Sequence, residues 1–390
     1  MNIAMFSWEA LEGISVGGGA AYASRLAGAL AEAGHRVRLF TRMGDGQAMD
    51  ETLPSGVRVR RCPWDRKRVF FDEIASLAAS FFHYFREAAA LDGAYDVVHA
   101  HEWLTVEAGI RAASDVSASF AAGFHSTEWG RTGIWPDSGD SARIAGLERD
   151  AVDRAVAVIA ASHQARRMIE QQFHPPDWKL EVVYHGVDVG SFDRIQDSRE
   201  GIRLKYGIPN NAPAVLFAGR FSRSGGGDLA AAAVGLASAQ LPELIGMFVG
   251  EGKLENDMRR LAGPAGMFFP TTARAVPSEL YLAADLVLAP FRRDTNGRAV
   301  LPAWAASKPA LTLSGTVPSE FIVDGVNGWI VPDVPRTAAE AVLSALTDRD
   351  RLSWMGRNGR VAAETAFSWK DAATRLVNAY TRRERLTPRS

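Results

Sequence analysis

A histidine, an acid, an arginine and an indole occur together within eight residues, in the segment 124–131 (FHSTEWGR). The segment follows an apolar run, so these side chains come where a predicted strand ends. Such a density of donors and acceptors is costly to bury without partners, which favours a functional role over a network that only fixes the loop. His125 is the best single catalytic candidate among them.

A second polar segment, 96–103 (DVVHAHEW), also follows the course of a predicted strand. Strand alternation puts His99 and His101 on one face and predicts that both reach a ligand cleft. Imidazole is a common metal ligand, but the pair lacks other ligands at suitable spacing, which favours a pair that hydrogen-bonds loops. We therefore expect no metal site.

Glycine-rich loops are the third candidate feature. In 16–19 (VGGG) the glycines allow close backbone approach at a helix start, where amides bind anions, although a flexible turn explains them equally well. The dinucleotide fingerprint G-x-G-x-x-G is absent, because Tyr22 stands where the third glycine belongs. In 217–228 (FAGRFSRSGGGD) arginines join the glycines, and their planar donors suit a diphosphate better than a solvated surface loop. The turn 249–252 (VGEG) is compatible with a nucleotide lying across it.

These segments lie on a regular alternation of strands and helices. Short apolar runs predict strands at 3–6, 36–41, 96–100, 120–124, 155–160, 214–218, 244–249, 286–289 and 310–313. Periodic segments predict helices at 20–33, 162–171, 228–239 and 298–306. The fold class is therefore α/β, with two doubly wound Rossmann-like domains that face a cleft at the carboxyl ends of their strands.

Chain length and composition agree with two domains. The 390 residues exceed what one core normally organises, and we place an N-terminal domain at 1–187, a polar linker at 188–211, a second domain at 212–368 and a C-terminal helix at 369–390 that returns to the first domain. A net charge of -1 excludes nucleic acid as an expected partner. A single cysteine, Cys62, excludes a disulfide framework and a cysteine-based zinc site. Without a signal peptide or a spanning apolar run, we expect a cytoplasmic protein.

Together with 20–37, 179–193, 283–290, 324–331 and 367–380, these segments resemble, in order and spacing, the retaining glycosyltransferases of the GT-B fold, in the glycogen-synthase-like group often called family 4. The resemblance covers nearly the whole chain. It implies a second domain that binds a nucleotide-diphospho-sugar, a first domain that binds a hydroxyl acceptor, and a metal-independent transfer of a hexose with retention. No further cofactor is implied.

The resemblance also assigns roles to residues. His125 lies beside the transferred sugar, Arg220 neutralises the donor diphosphate, and Asp294 takes the place of the first acid of the E-x7-E element, so these three are the catalytic candidates. The residues assigned to donor binding are Gly17, Gly18, Gly219, Arg223, Gly250, Glu251, Asn296 and Gly297. Those assigned to the acceptor side are His101, Glu102, Glu128, Trp129 and Arg131.

Four positions depart from the family pattern. The first acid of the E-x7-E element is shortened to Asp294, and His185 is a smaller departure, at a position where the family commonly has asparagine. Gly225 stands five residues after Arg220, where the family normally has a lysine. Pro302 replaces the second acid of the E-x7-E element, which in the family normally binds the ribose of the nucleotide. Losing such a charged contact costs about 1.5 to 3 kcal/mol. The cations considered as substitutes are Arg223, Arg292, Arg293, Arg298 and Lys308. The alternative to an active enzyme is a catalytically weakened relative that binds sugar nucleotide or a partner without efficient transfer.

Basic and aromatic residues near 64–71 (WDRKRVFF) are compatible with peripheral contact to a membrane. The residues considered are Trp64, Arg66, Lys67, Arg68, Phe70 and Phe71. An ordinary amphipathic helix start explains the same pattern and is the better interpretation.

Overall fold

The chain divides into two compact units, one formed by Met1–His185 with the segment from Trp369, and the other by Gly186–Ser368. The computed structural model describes residues 1–15, 18–270, 277–293, 297 and 299–386. Each unit is built on a sheet of parallel strands with helices packed against it. The predicted fold class, two doubly wound α/β domains, is confirmed.

The strands of the described residues number fourteen. They are β1 (Asn2–Ser7), β2 (Arg36–Arg42), β3 (Asp50–Thr52), β4 (Arg58–Cys62), β5 (Val97–His101), β6 (Ser119–Phe124), β7 (Ala157–Ala160), β8 (Leu180–Val182), β9 (Ala214–Ala218), β10 (Ile245–Val249), β11 (Gly266–Phe269), β12 (Leu286–Ala289), β13 (Ala310–Leu313) and β14 (Gly328–Val331). A strand is found at each place where the sequence predicts one.

The helices of the described residues number fifteen. They are α1 (Gly18–Glu32), α2 (Phe70–Asp92), α3 (Val106–Asp115), α4 (Glu128–Thr132), α5 (Gly139–Arg154), α6 (His163–Phe173), α7 (Gly190–Asp193), α8 (Arg199–Lys205), α9 (Gly227–Ser238), α10 (Glu255–Ala262), α11 (Ser278–Ala283), α12 (Val300–Ala305), α13 (Pro335–Thr347), α14 (Arg349–Ala366) and α15 (Trp369–Leu386). Four short 3-10 turns complete the described elements.

Strand order reverses once in each sheet. The first sheet runs β3-β4-β2-β1-β5-β6-β7-β8, with β3 antiparallel to β4 and every other pair parallel. The second runs β11-β10-β9-β12-β13-β14 and is parallel throughout. The reversals fall between β1 and β5 and between β9 and β12. Doubly wound folds bind ligands at the carboxyl ends of strands beside such reversals, where the polar segments at 99–103 and 219–228 lie.

The arginines of β4 explain why the sequence analysis missed it. Arg58, Arg60 and Arg61 occur within five residues, a pattern unlike a buried strand. In the structure Arg58 pairs with Asp92 at 2.5 Å and Arg60 pairs with Asp50 at 2.7 Å. These ion pairs allow the arginine stems to pack beside the sheet while their charges are compensated.

The C-terminal helix packs into the first unit. Leu376 and Tyr380 of α15 are buried in the same cluster as Ile3 of β1 and Leu26 of α1. The opposite face of the sheet has its own core, which includes Phe6, Phe40, Phe81 and Phe85. The first unit therefore needs residues from both ends of the described chain.

The segment predicted as a linker, 188–211, differs from that expectation. It carries α7 and α8 and belongs to the second unit. Arg203 of α8 is 1% exposed and donates hydrogen bonds to the carbonyl oxygens of Ala212 and Ala283 and to the carboxylate of Asp285. These contacts fix the segment to the second sheet, although its charges and glycines are typical of a linker.

The basic and aromatic segment at 64–71 is partly internal. Phe71 is buried against Trp103, and the Lys67 ammonium lies 3.2 Å from the Asp65 carboxylate. Phe70 and Val69 remain about half exposed at the start of α2. Among the helices of the described residues, none combines the length and the apolar character needed to cross a bilayer.

Two histidines of β5 stack inside the first unit. The rings of His99 and His101 are 4.3 Å apart, and His99 Nδ1 lies 2.5 Å from the Tyr380 hydroxyl. Both residues are buried, so they share one face as predicted but do not reach an open cleft. No group of three His, Cys, Asp or Glu side chains suited to a metal ion exists in the described part of the chain.

Burial of these histidines makes the stability of the folded protein depend on pH. It lowers the pKa of His99 to about 3 and that of His101 well below its ordinary value. In the unfolded chain both groups bind protons below about pH 6.5, whereas in the folded protein they stay neutral. We expect the free energy of unfolding to fall by about 1.4 kcal/mol per pH unit for each histidine as the pH drops below 6.

The measurement is urea unfolding from pH 8 to pH 4.5. Replacing His101 by leucine should make the curve of stability against pH less steep, whatever its effect on absolute stability. His83→Asn, at an exposed site on α2, is the control and should keep the wild-type slope. Equal slopes for His101→Leu and the wild type would contradict the explanation.

Candidate functional site

The polar ends of β5 and β6 meet in the first unit. The two strands pair in register, with His101 opposite Gly123, so the residues that follow them are neighbours. Glu102 Oε1 accepts a hydrogen bond from the backbone N–H of His125 at 2.7 Å and lies 2.9 Å from His125 Nδ1. Because a carboxylate only accepts hydrogen bonds, Nδ1 carries the proton. His125 Nε2 is buried and has no hydrogen-bond partner among the described residues.

Glu102 is held in an unusual backbone conformation. Its φ of 63° and ψ of 160° lie in a region that glycine adopts readily and other residues rarely do, at a cost of about 1–3 kcal/mol. The hydrogen bond from its N–H to the Gly123 carbonyl, at 2.8 Å, helps to hold it there. Burial raises the pKa of Glu102, but the hydrogen bonds of His125 and the charge of Arg131 outweigh burial and lower it. Glu102 is therefore a carboxylate that orients His125.

Arg131 connects four parts of this site. Its guanidinium lies 3.5 Å from Glu102, 3.1 Å from Glu128 and 2.7 Å from Glu148, and it donates to the carbonyl of Ser126 at 3.0 Å. Glu128 and Arg131, both assigned to the acceptor side, are thus bonded to each other. Glu148 was not identified from the sequence, because an isolated acid is usually a solvated surface residue.

Aromatic rings pack around His125. The ring of Tyr22 is 4.8 Å from that of His125 and 4.4 Å from that of His185, and burial raises the pKa of the Tyr22 hydroxyl. Trp129, predicted on the acceptor side, meets Trp135 edge to face at 5.3 Å, and Trp135 is 53% exposed. An indole pair therefore lies close in sequence to the candidate catalytic histidine.

In the second unit, three glycines allow two loops to pack backbone against backbone. A Cβ atom on Gly250 would lie 2.0 Å from the Gly219 carbonyl oxygen, and one on Gly252 would lie 2.3 Å from that of Phe221. The N–H of Phe221 donates to the carbonyl of Glu251 at 2.9 Å. This packing fixes the loop after β9, where Arg220 is exposed and its guanidinium makes no hydrogen bond or ion pair with the described residues.

The next turn of this loop has no room for a side chain at Gly225. A Cβ atom there would lie 2.5 Å from the Arg220 carbonyl oxygen, and the Gly225 N–H donates to Ser222 Oγ at 3.1 Å. The loop therefore lacks the lysine of the family, and its backbone occupies the space that a side chain at position 225 would need. Arg223 is largely exposed nearby, 3.9 Å from Asp228.

Two of the substitute cations considered from the sequence do not fit that role. Arg292 pairs with Asp228 at 2.7 Å and with Asp333 at 2.5 Å, so its charge is compensated. Lys308 precedes β13 and lies at the amino end of the sheet, opposite to the Arg220 loop, where burial lowers its pKa to about 8. Arg293 remains exposed on the carboxyl side of β12.

Four residues that the sequence analysis singled out lie outside the described residues. This applies to Gly17, Asp294, Asn296 and Arg298, whereas Gly18 is the first residue of α1. Gly297 has a φ of 62°, and a Cβ atom there would lie 2.0 Å from the Phe321 ring, so only glycine fits. Pro302 is the third residue of α12, where proline is tolerated because the N–H groups of a first turn need no intrahelical partner.

Comparison with known families decides the identity. Residues 16–191 match the model of Glycosyltransferase Family 4, and residues 198–362 match that of Glycosyl transferases group 1. The chain belongs to the family 4 type of glycosyltransferases with the GT-B fold. The resemblance to family 4 glycosyltransferases of the GT-B fold, stated from the sequence motifs, is confirmed.

Similarity to related proteins covers nearly the full length of this glycosyltransferase. An uncharacterized glycosyltransferase of Methanocaldococcus jannaschii is 27% identical, with 97% of this chain and 98% of the relative covered. A D-inositol 3-phosphate glycosyltransferase of Catenulispora acidiphila is 29% identical, with 94% and 91% covered. The similarity therefore includes both units of the glycosyltransferase.

Solved structures show the same fold. Sucrose-phosphate synthase from Thermosynechococcus elongatus superimposes with a TM-score of 0.80 at 20% identity, covering 99% of this chain and all of the other. HepE of Anabaena, solved in complex with UDP-glucose, gives a TM-score of 0.73 at 18% identity, covering 98% and 99%. At these identities the likeness concerns the fold of the glycosyltransferase.

The closed loop at Gly225 leads to a prediction. Replacing Gly225 by lysine should not restore a diphosphate contact, because its Cβ would clash with the Arg220 carbonyl. We expect the free energy of unfolding to fall by about 1–3 kcal/mol, without tighter binding of nucleoside diphosphates. Urea unfolding and isothermal titration calorimetry measure the two quantities.

Ser224→Lys is the matched control, since Ser224 is exposed and the same charge is introduced one residue earlier. It should leave stability within about 0.5 kcal/mol of the wild type. A stable Gly225→Lys variant that binds nucleoside diphosphate more tightly would show that the loop opens easily.

Proposed function

We propose that this glycosyltransferase moves a hexose from a nucleotide-diphospho-sugar to a hydroxyl acceptor, with retention and without a divalent metal or further cofactor. The observation that carries the proposal is Arg220, an exposed guanidinium without a partner among the described residues, on a loop fixed at the carboxyl end of β9. A cation held in this way suits a diphosphate, since little reorganisation is needed when negative charge develops on it.

The leaving group accounts for the need for cations. When the bond between the sugar C1 and the diphosphate oxygen breaks, that oxygen gains charge, which Arg220 stabilises with help from the exposed Arg223 and Arg293. The acceptor oxygen forms its bond to C1 on the same face, and its proton passes to the departing phosphate oxygen. Retention at C1 rests on the family resemblance.

His125 has a role that follows from its tautomer. With the Nδ1 proton bound to Glu102, the Nε2 lone pair is available to accept a hydrogen bond from a hydroxyl of the transferred sugar. Such a contact orients the sugar ring without formation of a covalent intermediate. The exposed indole of Trp135, packed against Trp129, suits the apolar face of an acceptor ring.

Relatives suggest which substrates to test first. HepE was solved with UDP-glucose, and a structurally similar Escherichia coli protein was solved with UDP-2-fluoro glucose. Uridine diphosphate sugars are therefore the first donors to examine. Several curated relatives are named D-inositol 3-phosphate glycosyltransferases, which places phosphorylated polyols in the acceptor panel.

A catalytically weakened relative is the second candidate function. Two observations favour it: the loop closed over Gly225, and the proline at position 302. Such a protein would bind a sugar nucleotide and release nucleoside diphosphate slowly. Ligand binding without turnover across the donor and acceptor panel would support this second function.

Arg220→Ala tests the first function. Removing the cation should reduce nucleoside diphosphate release by about tenfold to a hundredfold, since a hydrogen bond to a charged group contributes about 1.5–3 kcal/mol. Release is measured with a coupled assay after mixing donor and acceptor. Arg336→Ala, an 87% exposed arginine on α13, is the control and should keep wild-type turnover.

Folding of both variants is checked by their thermal midpoints, which should equal that of the wild type. If Arg220→Ala folds normally and releases nucleoside diphosphate as fast as the wild type, Arg220 does not neutralise the leaving group. If the wild type neither binds nor turns over any donor of the panel, the proposed transfer is wrong.

A further inference from the structure

Glu148 is a fully buried acid beneath the His125 loop. It lies on α5, its side chain is 0% exposed, and its carboxylate accepts hydrogen bonds from the Glu128 N–H at 2.8 and 3.1 Å. That N–H belongs to the first residue of α4, which begins three residues after His125. Glu148 therefore fixes the start of α4 with a carboxylate that water does not reach.

A continuous chain of contacts joins Glu148 to His125. Arg131 Nη2 donates to Glu148 Oε1 at 2.7 Å, and Arg131 Nη1 lies 3.5 Å from Glu102 Oε2. The other oxygen of Glu102 holds the Nδ1 and the backbone N–H of His125. The two acids thus compete for the charge of one guanidinium, and only Glu102 touches the histidine.

The charges of this network do not balance. Glu102, Glu128 and Glu148 share Arg131, and besides His125 no other basic side chain forms an ion pair with these acids among the described residues. Burial raises the pKa of Glu148 to about 7, while the charge and hydrogen bond of Arg131 act in the opposite direction. Of the three acids, Glu148 is the least exposed, so a proton taken up by the network resides there.

We propose that Glu148 is a positioning residue whose protonation sets how strongly Glu102 holds His125, with Arg131 as the link. The inference rests on the proposed function, since it concerns the regulation of the same site by pH.

The direction of the effect follows from the shared guanidinium. When Glu148 is protonated, the charge of Arg131 acts mainly on Glu102 and Glu128, and Glu102 attracts the Nδ1 proton of His125 less. When Glu148 is ionised, it takes part of that charge, and Glu102 attracts the proton more strongly. A stronger bond at Nδ1 makes Nε2 a better acceptor for a sugar hydroxyl.

Other charged groups around α5 are engaged elsewhere. On α3, Glu107 and Arg111 lie 3.7 Å from each other at the surface. On α5 itself, the Arg149 guanidinium lies over the Phe173 ring and donates to the Gln172 carbonyl. The Glu128 carboxylate also accepts a hydrogen bond from the uncharged hydroxyl of Ser141, on the same helix, at 2.8 Å. Arg131, Glu128 and Glu102 are therefore the charged groups that face Glu148.

Glu148→Gln tests the proposal, because glutamine keeps an acceptor for Arg131 and remains neutral at every pH. In the wild type we expect kcat for nucleoside diphosphate release to rise about threefold to tenfold between pH 6 and 8, in line with a change in one hydrogen bond. In Glu148→Gln kcat should stay at the low-pH value across this range, with an unchanged KM for the donor. Asp150→Asn, an exposed acid on the same helix, should retain the wild-type rise.

Nuclear magnetic resonance of 13C-labelled histidines gives a readout that does not depend on transfer. At pH 6 the ring signals of His125, assigned with a His125→Asn variant, should coincide in the wild type and Glu148→Gln, because the acid is protonated in the former. At pH 8 the two sets should separate. Asp150→Asn should coincide with the wild type at both values of pH.

Coincident His125 signals at pH 8 would overturn the proposal, as would a Glu148→Gln variant that keeps the rise in kcat. If Glu148→Gln loses activity equally at every pH and its His125 signals match those of the wild type, Glu148 has a role in folding alone. If Glu148→Gln does not fold, Arg131→Lys breaks the same link, and its His125 signals should differ from the wild type more at pH 8 than at pH 6. A wild type without transfer refutes the proposed function, while the spectra still decide on Glu148.

Discussion

Glu102 accepts two hydrogen bonds from His125, one from the backbone and one from the ring. Because one carboxylate holds both groups, the path of the chain after β6 and the orientation of the imidazole are fixed together. The backbone of Glu102 is itself unfavourable, and the pairing of β5 with β6 compensates for this. The sheet thus stabilises a conformation that the local sequence would not adopt alone, and the candidate catalytic group depends on it.

The two units present their charged groups in different ways. In the first, Arg131 is surrounded by acids and serves to connect them. In the second, glycine contacts hold a loop so tightly that Arg220 remains exposed and unpaired among the described residues. The charge of a paired cation is compensated within the protein, whereas the charge of an unpaired cation is available to compensate that of a ligand. This difference agrees with a donor diphosphate bound by the second unit.

Periodicity was sufficient to predict strands with continuous apolar runs, such as β1 and β9, because a parallel sheet covered on both faces requires such runs. It did not predict the short strands β3, β8, β11 and β14, and it failed at β4, where ion pairs replace apolar burial, and at 188–211, where Arg203 is internal. At the site, the motif located His125 and Glu102. It did not locate Glu148, and it did not show that Arg292 is already paired, since both facts depend on residues far apart in the chain. Asp294 and Asn296 lie outside the described residues, so their assignment stays a prediction.

The return of α15 to the first unit has a consequence for how the protein is made. Strand β1 is synthesised before the second unit, whereas Leu376 and Tyr380, which complete the core on one face of its sheet, are synthesised after it. The second unit is contained in 186–368 and has all its residues earlier. The second unit can therefore finish folding during synthesis, while the first must keep one apolar face uncovered until α15 emerges, which makes that face the natural target of a chaperone.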